Sequence, residues 1–184
     1  MTERTFPEGD LMSEGIRLRQ FTRADIPQVL VACEDSETQK WVPIPSPYEL
    51  KDAEFFVNQF SVDQKESGRG IVFAIEIEGS LVGSIDISNT SWDNFSCSTG
   101  YWAVPSHRGK GHMSKALTLV SNWAIKDHGF KRIDLYAATE NFVSQRVAEN
   151  AGFKREGVAR NRVMHRGQIL DLISYSKIPS DIGF

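Results

Sequence analysis

Val104-Pro105-Ser106-His107-Arg108-Gly109-Lys110-Gly111-His112-Met113 is the stretch whose residue types most narrow the chemistry. A β-forming run precedes it and a run of helical spacing follows. Two glycines, two positions apart, let backbone approach a ligand closely. Amides at a helix start lack intrahelical acceptors and sit at the positive end of the helix dipole, so they suit an anion. Arg108, Lys110 and Lys115 add positive charge beside them. A phosphate-bearing ligand is the expectation. The spacing is neither Gly-x-x-x-x-Gly-Lys-Ser/Thr nor Gly-x-Gly-x-x-Gly, since Ser114 follows Gly109-x-Gly111. The plainer alternative is a glycine turn flanked by solvated basic residues.

Other chemistry-bearing types are sparse. Cys33 and Cys97 lie far apart, which supports neither a disulfide framework nor a zinc site. His107, His112 and His165 show no metal-ligand spacing and read as surface residues, so no metal is expected. The 184 residues carry 21 basic and 24 acidic side chains, a net charge of −3. That balance argues against binding nucleic acid or anionic lipid by bulk electrostatics. Apolar runs such as Val29 to Cys33 are far shorter than the ~18 residues of a membrane span. Met1 to Asp10 is polar and acidic, without an apolar signal core. A reducing, cytoplasmic setting is the default expectation.

The elements that must position the loop can be read from periodicity. Residues 1–14, rich in Glu, Gly and Pro, read as a flexible lead-in; residues 15–178 form one domain, and 179–184 a tail. Ile16 to Phe21 alternates as a strand. Thr22 caps a helix running to about Glu34, with Pro27 in its first turn. Three prolines make 42–47 a loop. A helix spans Tyr48 to about Glu66. Runs 71–77 and 81–87 form a hairpin about Gly79-Ser80, and 89–94 is a polar loop carrying Trp92. Cys97 to Val104 is a strand stopped by Pro105. The helix 113–128 ends at Gly129. A strand over 132–137, a helix over 143–151 and two strands over 153–164 and 168–177 complete the chain. The expected fold is mixed α/β: a largely antiparallel sheet of about seven strands, flanked by helices.

Four segments together carry a family resemblance: Gly100-Tyr101-Trp102-Ala103-Val104, Arg108 to Met113, Asn141-Phe142-Val143-Ser144 and Glu149-Asn150-Ala151-Gly152-Phe153. In this order they resemble the GNAT superfamily of acyl-CoA N-acyltransferases, with the RimJ/RimL type as the nearest branch. The resemblance implies an acetyl-CoA-dependent N-acetyltransferase that moves an acetyl group to a primary amine. It implies that Arg108, Gly109, Lys110, Gly111, His112 and Met113 hold the pyrophosphate of acetyl-CoA, with Met113 where the family pattern has Gly or Ala. Trp102, Ala103 and Val104 would pair with the pantetheine, the Val104 amide polarising the thioester carbonyl. Asn141 would bind the pantetheine arm, and Ser144 would protonate the departing sulfur. Helix capping is the alternative for Asn141 and Ser144, and strand packing for Tyr101 and Trp102.

Many relatives carry Glu on the strand before the loop, where Ser98 stands here. Asp86, projecting opposite Ile85 and Ile87, is the substitute base; its alternative is a solvated strand carboxylate. Asp134 and Asp171 are further candidates, and Asp171 has an anchoring role for the last strand as its alternative. An α-amine near pKa 7.7–8.0 is roughly 10–15 % neutral at pH 7, a lysine only about 0.04 %. A site without a strong base therefore favours a protein or peptide N-terminus. The other readings are a small-molecule N-acetyltransferase acting on an antibiotic, polyamine or amino acid, and a non-catalytic CoA-binding module. The acceptor side is expected from the 36–66 region and the 89–95 loop, with Trp41, Tyr48 and Trp92 as lining candidates and core or lid packing as the alternative for each. No nucleic-acid or membrane partner is expected, and a homodimer is left open.

Overall fold

The computed structural model describes residues 5–7 and 9–184. Nine strands form one sheet in these residues, in the order β1 (Leu11–Ser13), β2 (Ile16–Arg19), β3 (Ile71–Ile77), β4 (Ser80–Ser91), β5 (Ser96–Ser98), β7 (Arg132–Ala138), β9 (Gln168–Lys177), β8 (Lys154–His165), while β6 (Tyr101–Ala103) pairs with β4 off this path. Every pairing is antiparallel except β5 with β7. Two strands exceed the sequence expectation. β1 comes from the presumed lead-in, and the run 97–104 divides into β5 and β6.

The lead-in is thus partly built into the fold. Leu11 pairs with Leu18, and Phe6 is buried against Trp92, Trp123, His128 and Phe130. Composition hid this because one aromatic ring can anchor an otherwise polar segment. At the other end, Pro179–Ile182 forms a 3-10 turn, and Ile182 packs against the core.

Helices α5 (His112–His128) and α6 (Phe142–Asn150) are tied to one large core. Ala116, Leu117, Val120, Ala124 and Ile125 of α5 recur at helical spacing and are buried with Phe73, Ile85 and Ile87. Each large aliphatic side chain so buried contributes about 1.5–3 kcal/mol. A second core holds Ala74 and Trp102 of the sheet with Val29, Ala32, Ala53 and Val57. Those four come from α1 (Ile26–Glu34), α3 (Leu50–Phe55) and the π-helical turn Phe56–Phe60 that joins α3 to α4 (Ser61–Glu66). A short α2 (Ser36–Trp41), not anticipated from periodicity, begins where the Asp35 carboxylate accepts from the Thr38 amide at 2.9 Å. Among the described residues no helix is long and apolar enough to cross a membrane.

Candidate active site

The sheet splits where β5 gives way to β6. β5 runs parallel to β7 as far as Ser98 opposite Asp134, and the Thr99 amide makes a last rung to the Asp134 carbonyl at 2.9 Å. The chain then turns toward β4: the Gly100 carbonyl accepts from the Asp86 amide at 2.9 Å, and β6 pairs Tyr101 with Ile85, Trp102 with Ser84 and Ala103 with Gly83. β7 meanwhile continues beside β9 to Ala138. A V-shaped opening results between β6 and the second half of β7. Gly83 permits this close approach, since a Cβ there would lie 2.4 Å from the Trp102 carbonyl oxygen.

Backbone alternation decides which groups face the opening. The Asp86 and Val104 amides both donate toward β4 and β6 partners, Val104 to the Val82 carbonyl at 3.0 Å. In an antiparallel ladder the polar groups of Trp102 then also face β4, and those of Tyr101 and Ala103 face the opposite edge. The Val104 amide, expected to polarise a carbonyl, is already engaged, and Tyr101 and Ala103 are the β6 residues that present backbone to the opening. Trp102 is buried beside Phe56 with ring centroids 6.3 Å apart, so its ring belongs to the core.

Asp86 lies at the closed end of the V. Its Oδ1 accepts from the Gly100 amide at 3.1 Å, and a Cβ at Gly100 would sit 3.2 Å from Oδ2, so glycine makes room for the carboxylate. Burial pushes its pKa up to about 6, against the opposing hydrogen bonds from Ser88 and Gly100. A freely solvated carboxylate would show no such shift. Asp134 and Asp171 are otherwise occupied. Asp134 accepts from Arg132 Nε at 2.8 Å, and Asp171 holds the Asn161 amide at 2.7 Å across the irregular stretch of β8.

At the open end stands the first turn of α6. Asn141 Oδ1 accepts from the Ser144 amide at 3.0 Å, so Asn141 does cap the helix. Ser144 has a further partner, the Tyr101 hydroxyl, 2.9 Å from Ser144 Oγ and 3.1 Å from the Ser144 carbonyl oxygen. The sequence places Tyr101 in a segment of the family resemblance, with strand packing as its alternative, and assigns its hydroxyl no role. Its hydroxyl contact with a serine 43 positions later carries no local signal.

The loop leading into α5 has the geometry of an anion cradle. Gly109 and Gly111 adopt φ of +74° and +78°, with nothing within 4 Å of a Cβ at either. The amides of Gly109, Lys110, Gly111, His112, Met113 and Ser114 donate to no group among the described residues, whereas the Lys115 amide closes onto the Gly111 carbonyl at 3.3 Å. Positive charge is concentrated here: burial, then His107, Lys110 and Lys115, hold the His112 pKa below its usual value. The Met113 side chain turns inward, its Cε 3.2 Å from a Cβ built on Gly83.

Arg108 departs from expectation. Its guanidinium bonds Asp35 Oδ2 at 2.5 Å and Thr38 Oγ1 at 2.8 Å, and its amide donates to the Pro105 carbonyl at 3.3 Å. It ties the loop to the start of α2. The three aromatic residues assigned to the acceptor side do not converge. Tyr48 is buried against Cys33, and Trp92 packs on Phe6 and Phe130 while donating to the Gly68 carbonyl at 2.9 Å. Trp41 alone is on α2, with Lys40 Nζ 4.6 Å from its ring centroid. The β8–β9 tip instead reaches this region: His165 Nε2 lies 3.2 Å from the Gln39 carbonyl oxygen, to which Arg166 Nε donates at 2.7 Å. Among the described residues no group of three or more His, Cys, Asp or Glu side chains could hold a metal ion.

A family model described as an acetyltransferase (GNAT) domain matches residues 16–154. YdaF of Bacillus subtilis (strain 168), provisionally named a ribosomal N-acetyltransferase, is 33 % identical over 107 residues, 58 % of either chain. YoaA of the same organism, an uncharacterised N-acetyltransferase, is 25 % identical over 168 residues, 90 % of this chain and 94 % of its own. In fold, the chain is similar to Mycobacterium smegmatis RimJ solved with a CoA-disulfide: TM-score 0.84, 21 % identity, 96 % of this chain and 88 % of that one.

Proposed function

The chain belongs to the GNAT acetyltransferase family, and from that premise we propose that it transfers an acetyl group from acetyl-CoA to a primary amine, with a peptide N-terminal α-amine as the acceptor class. The observation that carries this reading is the V-shaped opening, with the unengaged amides of 109–114 beside it. Those amides suit a diphosphate, and the free edge of β6 suits an extended amide-bearing arm, as a strand would.

The chemistry is direct attack. The amine nitrogen bonds to the thioester carbonyl carbon, and the carbonyl oxygen takes the negative charge. Ala103 N–H, facing the opening, is the donor assigned to that oxygen. Asp86 accepts the proton that the nitrogen must lose. With a pKa of about 6 it is ionised at neutral pH yet still basic enough to serve. The carbonyl re-forms as the C–S bond breaks, with its electron pair going to sulfur. Ser144 Oγ–H donates a hydrogen bond to the thiolate and keeps its proton, because a leaving group of ordinary pKa near 8.5 departs without full proton transfer, and the proton held by Asp86 passes to solvent. A weak base of this kind works on an acceptor that is partly neutral already, which favours α-amines over lysine.

A small-molecule amine is the second reading. The His165–Arg166 tip bonds the Gln39 carbonyl of α2, and an acceptor side bounded by this contact would suit a compact substrate. One experiment separates the two. Thiol release from acetyl-CoA is followed with peptides bearing a free N-terminus or only a free lysine, and with polyamines and aminoglycosides. Turnover led by the free N-terminus supports the first reading. Lysine turnover at an equal rate overturns the α-amine preference, and silence with every amine favours a non-catalytic CoA-binding module.

A further inference from the structure

We infer that Tyr101 is a positioning residue that controls where the Ser144 hydroxyl hydrogen points. The inference rests on the reading of Ser144 as donor to the leaving sulfur. Tyr101 belongs to β6 and Ser144 to α6, so their contact bridges the two sides of the opening. The phenol has one hydrogen and two acceptors within reach, the Ser144 carbonyl oxygen at 3.1 Å and Ser144 Oγ at 2.9 Å.

Two arrangements follow. When the phenol donates to the carbonyl, Ser144 Oγ–H donates back to the phenol oxygen and its hydrogen is turned away from the opening. When the phenol donates to Oγ, the serine hydrogen is released toward the opening, and its O–H is polarised by the bond it receives. Negative charge growing on a sulfur in the opening favours the second arrangement. The change is a rotation about two C–O bonds; no covalent bond forms or breaks, and the phenol keeps its proton. Burial holds the Tyr101 pKa well above its usual value, which keeps the group a phenol throughout.

The test is Tyr101→Phe in the full chain, assayed with acetyl-CoA and a free-N-terminus peptide. The expected result is kcat about tenfold lower, with KM for acetyl-CoA and the thermal midpoint nearly unchanged. In Ser144→Ala, adding Tyr101→Phe should cost no further rate, since the hydroxyl it orients is gone while the backbone carbonyl partner stays. Unchanged kcat in Tyr101→Phe, or losses that multiply in the double variant, overturn the inference. So does a rate loss matched by equal losses of stability and acetyl-CoA affinity. Should Tyr101→Phe fold poorly, 3-fluorotyrosine at position 101 replaces it: a stronger donor of the same shape should raise kcat, and an unchanged rate overturns the inference. Calorimetry of the wild-type chain with acetyl-CoA keeps the two levels apart. No binding there removes the underlying reading, whereas binding and turnover with an indifferent Tyr101 remove this inference alone.

Discussion

Under the proposed base role, Asp86 would set activity against stability. Its folded-state pKa of about 6 lies above the ordinary 3.8, so between roughly pH 4 and 6 the folded chain holds a proton that the unfolded chain has released. Stability contributed by this group therefore falls as pH rises through that window and stays low above it. Two pKa units correspond to about 3 kcal/mol. Asp86→Asn keeps an oxygen for the Gly100 amide and removes the charge. It should raise the thermal midpoint at pH 7, where the carboxylate is charged, and have little effect on it at pH 4. The same variant should lower kcat roughly a hundredfold and abolish the rise in rate near pH 6. A wild-type rate flat from pH 5 to 8 would exclude Asp86 as the base.

The loop before α5 acts as an element, through backbone more than side chains. Gly111→Glu places negative charge among the open amides and should weaken acetyl-CoA binding by about tenfold to a hundredfold, measured by calorimetry. Gly111→Ala forces a Cβ into φ +78° without adding charge. It should cost about 1 kcal/mol of stability and leave affinity close to wild type. Equal affinities for the Glu and Ala variants would mean that no anion rests there. Arg108 serves the same loop from outside, by joining it to Asp35 and Thr38. Arg108→Ala should raise KM for the acceptor several-fold while changing acetyl-CoA affinity little, because the tie positions α2 and leaves the cradle amides in place.

For the whole molecule, Phe6 and the strand Leu11–Ser13 are structural members. Phe6 is 2 % exposed amid four aromatic neighbours, so Phe6→Ala should lower unfolding free energy by about 3 kcal/mol, read from the denaturant midpoint. Kinetic constants at low temperature should not move. A midpoint shift below what about 0.5 kcal/mol would produce would show that this ring is not part of the core.

Much of this architecture is legible along the chain because regular elements announce themselves locally. The helical spacing of Ala116, Leu117, Val120 and Ala124, the alternation from Ile71 to Ile77 and the glycines at 109 and 111 are patterns within a few residues, and each marks a real element. The short α2 leaves no periodic signal in its six residues, although Asp35 and Thr38 form a legible cap. What the tertiary structure alone decided is which polar groups remain free. Val104 and Ala103 are neighbours of similar type, yet pairing with β4 occupies one amide and turns the other toward the opening. The Arg108 guanidinium, expected beside an anion, is held by Asp35, 73 positions away. Tyr101 gained its role from a serine on another element. Periodicity fixes which face of an element is apolar, but a hydrogen bond has one donor and a short reach, so its partner is settled only when distant strands come together.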